Sequence, residues 1–240
     1  MTQDHLVKSF DDELKTLHDA ISRMGGLVEA QIGDAILAVT ERDSALAAEV
    51  ISNDVGVDAI EHEIEDLSLK IMALRQPVAV DLRAVLAALR IGNELERIGD
   101  YAVNVAKRAI ALNQMPRIRP AGAMPRMGRA AKEMIRDVLD AYVKGDVDNA
   151  IDVWNRDEEL DEMYSSLFRV LLTYMMEDAR NITPATHLLF IAKNIERVGD
   201  HTTNIAEMVY FLVTGTTLRA ARPKRDETSF VQAAEKRPRA

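Results

Sequence analysis

The residues best suited to chemistry in this chain are acidic, paired and duplicated. Glu96-Arg97-Ile98-Gly99-Asp100 returns one hundred residues later as Glu196-Arg197-Val198-Gly199-Asp200, and an Asn follows each copy at Asn104 and Asn204. Upstream, Asp54 and Asp58 recur as Asp157 and Asp161 at an offset of 103. Helix positions four apart share a face, so each of these four pairs can present two carboxylates in one direction. On a helical wheel of about 100° per residue, Glu96 and Asp100 fall along an apolar strip with Leu82, Val85, Leu89, Gly92 and Val103. Arg83, Arg90 and Arg97 lie on another side. Glu196 and Asp200 repeat the pattern with Ala185, Leu189 and Ala192. Asp54 and Asp58 share an edge with Ile51, Glu61 and Glu65, as Asp157 and Asp161 do with Trp154 and Phe168.

Carboxylates gathered beside apolar surface repel one another and lose hydration. They must be protonated, paired with basic residues or neutralised by a metal. The chain has no cysteine, so the donor set is oxygen. That suits Mg²⁺, Mn²⁺, Ca²⁺ or iron, with Zn²⁺ also accommodated, and bridging carboxylates allow a multinuclear cluster. The candidate metal ligands are Asp54, Asp58, Glu96 and Asp100 in the first half and Asp157, Asp161, Glu196 and Asp200 in the second. Among 39 acids one such pair is an ordinary solvated helix face. Four pairs, duplicated in register beside an apolar strip, favour a cation site.

Gly99 and Gly199 sharpen that expectation. A mid-helix Gly costs about 1 kcal/mol relative to Ala, so its presence in both copies predicts a helix or an ion approaching closely. His62 and His187 read as structural, and His201 as a surface or partner-facing residue. There is no Gly-rich phosphate loop, no Gly-x-Ser-x-Gly and no Cys nucleophile. No catalytic residue is assigned and the chain does not read as an enzyme. The competing catalytic reading, a carboxylate-bridged di-iron oxidase, normally needs Glu-x-x-His on two helices, and none occurs. A metal-free helical adaptor is the other alternative.

The elements that position these acids are helices. Aliphatic residues, Ala and Glu dominate and aromatics are 5%, which favours packed helices over sheets. The duplication extends beyond the acids: Met24-Gly25 matches Met127-Gly128, Ile32 matches Ile135 and Val50 matches Val153. Each half reads as three helices, near 4–40, 44–75 and 80–113, then 125–144, 147–177 and 184–214. Asp43 and Asp146 are N-cap candidates, Pro184 suits a first helical turn, and Gly145 can end a helix. The offset drops from 103 to 100 between Leu67 and Asp81, and this shortening is expected in a loop. The fold class is therefore all-α, two tandem three-helix bundles. Residues 1–114 form the first, 115–122 a linker and 123–214 the second, with 215–240 a basic tail expected to be disordered.

A net charge of −9 argues against nucleic-acid binding. No secretory leader is evident, and no uncharged run reaches the roughly 18 residues a spanning helix needs. A cytoplasmic protein is expected. From Thr216 onward seven basic residues face three acids, a balance compatible with peripheral contact with an acidic membrane surface.

The two Glu-Arg-Ile/Val-Gly-Asp signatures, Asp81-Leu82-Arg83 before the first, and Asp200-His201 with Asn204 in the second resemble the PhoU family of bacterial phosphate-uptake regulators. The resemblance covers roughly residues 4–214. It implies a regulator made of two tandem three-helix bundles whose paired E/D-x-x-x-D motifs hold multinuclear metal, here the eight acids named above. It also implies a negative role in phosphate uptake and the phosphate-starvation response. The implied partners are the ATPase subunit of a phosphate ABC transporter and a sensor histidine kinase, at the inner face of the membrane, with the protein as a homodimer. Tyr164 stands where the first half has Glu61, so the two sites are expected to differ in metal number or affinity.

Overall fold

The computed structural model describes residues 2–218; the bulk of the expected tail lies outside them. Six long helices carry the chain: α1 (Thr2–Glu41), α2 (Ser44–Arg75), α3 (Val80–Asn113), α4 (Met124–Lys144), α5 (Val147–Glu177) and α6 (Ile182–Thr214). Their limits follow from local chemistry. Asp43 accepts hydrogen bonds from the Ala45 and Leu46 amides at the start of α2, and Asp146 accepts from Asn149 at the start of α5. Both satisfy amides that a helix leaves without an internal partner. Gly145 ends α4 at φ +62°, a left-handed conformation that Gly adopts without steric penalty.

The expected place for the three-residue shortening needs correcting. The connections Gln76–Ala79 and Asp178–Asn181 are equally long, the second containing a short 3₁₀ turn, Ala179–Asn181. By the repeat register, α2 runs one residue further than α5, and α3 begins two residues earlier than α6. The extra residues are helical because they extend existing turns at the bundle tip, where both termini face water.

Helices α1, α3, α6 and α4 form a closed central ring, each packing on the next. α2 lies outside against α1 and α3, and α5 outside against α4 and α6. Each half is thus a three-helix bundle, and the halves join along two antiparallel seams. On α3 and α6, Glu94 meets Asn204, Arg90 meets Met208, and the Arg108 guanidinium lies 4.3 Å from the centre of the Phe190 ring. On α1 and α4 the repeated glycines set the separation. A Cβ at Gly25 would meet Leu139 at 2.5 Å, and one at Gly128 would meet Ile36 at 2.6 Å. Ile36 and Leu139 are themselves repeat mates, so the two contacts are one contact made twice. The buried apolar side chains of both halves form a single continuous cluster, rich in the alanines that let helices approach closely.

The connection between halves contains a 3₁₀ turn, Arg119–Ala123. Arg42 anchors it by donating to the Asn113 and Met115 carbonyls, while Arg117 donates to Thr40. No helix among the described residues is long and apolar enough to cross a membrane.

Candidate functional site

Because α2 packs on α3 and α5 on α6, the acidic edges predicted from sequence face each other across one helix pair in each half. In the first, Asp54 comes under the charges of Asp58 and Asp100, and Glu96 under those of Asp100, Glu61 and Asp58. In the second, Glu196 lies within the field of Asp200 and Asp161, and Asp157 reaches under the repeated glycine. All eight acids therefore line the two nests. The repeated glycines differ in how tightly they are packed: a Cβ would make ordinary contact at Gly99 and would clash at Gly199. A Cβ at Gly99 would sit 3.5 Å from Asp54 Oδ1, and one at Gly199 would sit 3.0 Å from Asp157 Oδ1 and 2.8 Å from Leu160.

The nests differ in depth. Asp157 and Asp161 are 1% exposed and Glu196 is 3% exposed. Their first-half counterparts are more open: Asp58 faces solvent, and Asp54 and Glu96 are half-buried. Burial is the largest cause holding Asp54, Glu61 and Glu96 above the ordinary carboxylate range. Asp58 and Asp100 raise Asp54 further, and Asp100 does the same to Glu96, opposed by Arg97. In the deeper nest, burial pushes Glu196 up to about 7 although Lys193 works against it. These directions are those expected of carboxylates brought together out of water.

The basic residues differ too. Arg97 stays with its own acids, 3.6 Å from both Glu96 and Asp100. Its repeat mate Arg197 also lies under the charges of its own acids, Glu196 and Asp200, and comes in addition under the influence of Tyr101 from the other half. Lys193, one helical turn before Glu196, pairs with Glu196 Oε1 at 2.8 Å and lies 4.8 Å from the centre of the Tyr164 ring. Its mate in the first half is Asn93, which is exposed and donates to the Leu89 carbonyl of its own helix. Sequence reasoning passed over Lys193, although a lysine three residues before Glu196, with Asn at the repeat position, was a visible signal.

Two further residues were missed. Gln31 of α1 is 6% exposed beside Asp54, with both amide atoms short of a well-formed hydrogen bond, and it still offsets part of the rise at Asp54. Its repeat mate is the apolar Met134, so the repeat gave no hint of a polar role. Glu94 organises the seam, contacting His201 Nδ1 at 2.6 Å and accepting from Asn204 at 3.0 Å. His201 Nε2 is 3.3 Å from the Tyr101 hydroxyl. The surface reading of His201 is thereby corrected: its partner is the other half of the same chain. Of the other two, His62 is exposed, with Nδ1 2.7 Å from the Asp58 carbonyl oxygen. His187 has a buried Nδ1, and burial holds its pKa down.

In kind, the first nest fits a hard cation: every donor is an oxygen, and a buried amide stands among them. In spacing, the nests are wider than a closed site. Among the described residues no three His, Cys, Asp or Glu side chains gather as a group able to hold a metal ion. An ammonium stands near each nest, Lys193 on Glu196 in the second and Lys107 acting on Asp54 in the first.

The PhoU domain model matches residues 21–109 and again 124–209. The chain belongs to the PhoU family. A phosphate-specific transport system accessory protein PhoU homolog of Caulobacter vibrioides is 49% identical over 227 residues, covering 94% of this chain and 99% of that protein. The corresponding homolog of Rhizobium meliloti is 47% identical over 231 residues, covering 95% and 97%. The crystal structure of PhoU from Pseudomonas aeruginosa is 38% identical with a TM-score of 0.83, covering 86% of this chain and all of that one. The phosphate transport system regulatory protein PhoU from Streptococcus pneumoniae follows at 29% identity and a TM-score of 0.80, covering 88% of this chain and all of that one. Both halves and the all-α duplicated fold are thus those of PhoU proteins.

Proposed function

We propose that this chain is an accessory protein of a phosphate transport system that represses phosphate uptake and the phosphate-starvation response. In this reading it links the ATPase subunit of a phosphate ABC transporter to a sensor histidine kinase. It acts in the cytoplasm as a homodimer, peripheral to the inner membrane through its partners. The observation that supports the reading is that both halves of a PhoU fold keep facing carboxylates at equivalent places on α2 with α3 and on α5 with α6.

The nests supply the regulatory chemistry. Asp54, Asp58, Glu96 and Asp100, and in the second half Asp157, Asp161, Glu196 and Asp200, are the groups that would hold metal. Iron, zinc, manganese and magnesium all accept such oxygen donors, and a bound ion would supply positive charge and nothing else. The protein's part is to hold like charges on facing helices, most openly on α2 and α3, where their repulsion works against packing until it is offset. A stiffened bundle then offers its partners a defined surface. The chain's own residues provide carboxylates and no nucleophile with its base, which favours a regulator over a catalyst.

The test is affinity capture of the tagged protein from cells grown in high and low phosphate, with elemental analysis of the purified protein. Recovery of the transporter ATPase or the kinase, changing with phosphate, supports the proposal. Recovery of neither in both media refutes it.

A further inference from the structure

The two halves differ in what covers their outer helix. In the repeat register Met124, where α4 begins, corresponds to Ile21 well inside α1. Residues 2–20 of α1 therefore have no helical counterpart ahead of α4. Phe10, Leu14 and Leu17 of that extension pack on the core, and Glu13 ties it to Arg75 at the end of α2. Ahead of α4 the chain takes only the 3₁₀ turn Arg119–Ala123, too short to cover the same length of α5. A cleft of about 560 Å³ is left between this turn, the start of α4 and α5. Small-molecule sites occupy roughly 300–1,000 Å³.

The charges of the cleft are sorted by wall. Arg119 and Arg126 line it from the turn and α4, and Glu159, Glu162 and Ser166 line it from α5. Met163, Leu167 and Val170 of α5 supply its apolar surface, Val170 at 43% exposure. The repeat explains the arginine. Arg126 corresponds to Arg23, and Ser166 to Glu63. In the first half Arg23 donates to both Glu63 carboxylate oxygens, at 2.8 and 2.9 Å. The second half keeps the arginine and lacks the acid. Among the described residues neither Arg119 nor Arg126 forms an ion pair. Both belong to residues 114–132, which hold five basic residues and no acid in a chain of net charge −9. Glu159 and Glu162 are equally particular to this half, standing where the first has Gly56 and Ala59.

We propose that this cleft binds a nucleoside phosphate. Two guanidiniums on one wall offer planar donors to phosphate oxygens. The apolar side chains of α5 offer a surface to a flat base. The carboxylates and hydroxyl beside them accept from ribose hydroxyls or an exocyclic amine. A bare anion would use the arginine wall alone and face like charge across the cleft. A purely apolar ligand would leave both polar walls unmatched. A ligand anionic at one end and rich in donors at the other matches the whole cleft.

Calorimetric titration of the full-length protein with ATP, AMP, inorganic phosphate and adenosine, in low salt, tests this. At least one nucleotide should bind, with phosphate and adenosine weaker by tenfold or more. Arg119→Gln and Arg126→Gln should each weaken nucleotide binding roughly tenfold. Ser166→Glu, which rebuilds the first-half pair at Arg126, should do the same, whereas Arg23→Gln should leave binding unchanged. All four positions are exposed, so an unchanged melting temperature separates loss of the site from loss of the fold. None of the variants alters a nest acid, so the outcome stands apart from the fate of the nests. The proposal is overturned if wild type binds neither nucleotide at millimolar concentration, or if phosphate binds as tightly as the nucleotide. Nucleotide affinity indifferent to Arg119→Gln, Arg126→Gln and Ser166→Glu overturns it as well.

Discussion

Glu196→Gln, followed by urea unfolding in chelator from pH 4.5 to pH 8, isolates the energetic consequence of the deeper nest. The carboxyl titrates at 4.5 when unperturbed and at about 7 in the folded chain, chiefly because it is buried. Between those values the folded state holds the extra proton, so stability must fall as pH rises through that window. At about 1.4 kcal/mol per pH unit the loss approaches 3 kcal/mol by neutral pH. It is complete above the folded pKa and absent below the unfolded one. Asp54, Glu61 and Glu96 are raised in the same direction and add slope of the same sign. Glu13 is lowered by its hydrogen bond to Arg75, so its stabilisation is lost at lower pH and leaves this window clear. Gln keeps the shape, and its amide oxygen can still accept from Lys193, but it carries no charge. The variant should match wild type near pH 4.5 and exceed it by about 1–3 kcal/mol at pH 8. A variant with the wild-type pH slope, or one less stable at pH 8, would refute the reasoning.

The α1–α4 seam separates two glycines by their surroundings. Gly26→Ala, with open space around it, should stabilise by about 0.5–1 kcal/mol in urea unfolding. Gly128→Ala meets branched Ile36 atoms at 2.6 and 2.7 Å and should destabilise by about 1–2 kcal/mol. Arg42→Ala removes the donor shared by the Asn113 and Met115 carbonyls and should cost about 1–3 kcal/mol, with faster proteolysis at residues 115–122 than in wild type.

Much of this structure is legible in sequence because its signals are periodic and repeated. Helix limits follow from Asp43, Asp146 and Gly145, and the nest faces follow from i, i+4 spacing on helices whose short connections make them neighbours. The glycine expectation holds at Gly199, where a Cβ would clash with Leu160 and Asp157, and not at Gly99, where it would make ordinary contact with Gln31, Val57 and Asp54. What escapes the sequence is whatever depends on helices from separate repeats or breaks the repeat. Gln31 reaches the first nest from α1, and Met134 conceals the role by standing in its place. Glu94 binds His201 and Asn204 only because α3 and α6 run antiparallel along the seam, a relation no spacing within either helix encodes. Length changes also mislead: helix tips absorbed three residues that loop statistics would have assigned to a turn.

The signature carries more than metal donors, because its residues point to three environments. Glu96 and Asp100 look toward α2, Ile98 is buried in the core, and Tyr101, one residue on, reaches the other half. In the second copy Glu196 looks toward α5, Val198 is buried, and His201 meets Tyr101. Each nest is therefore built on the helix that forms the α3–α6 seam, and no loop separates them. Glu94 joins α3 to α6 by contacting His201 and accepting from Asn204, so a change in how the first nest packs on α2 is made on a helix that the other half already holds.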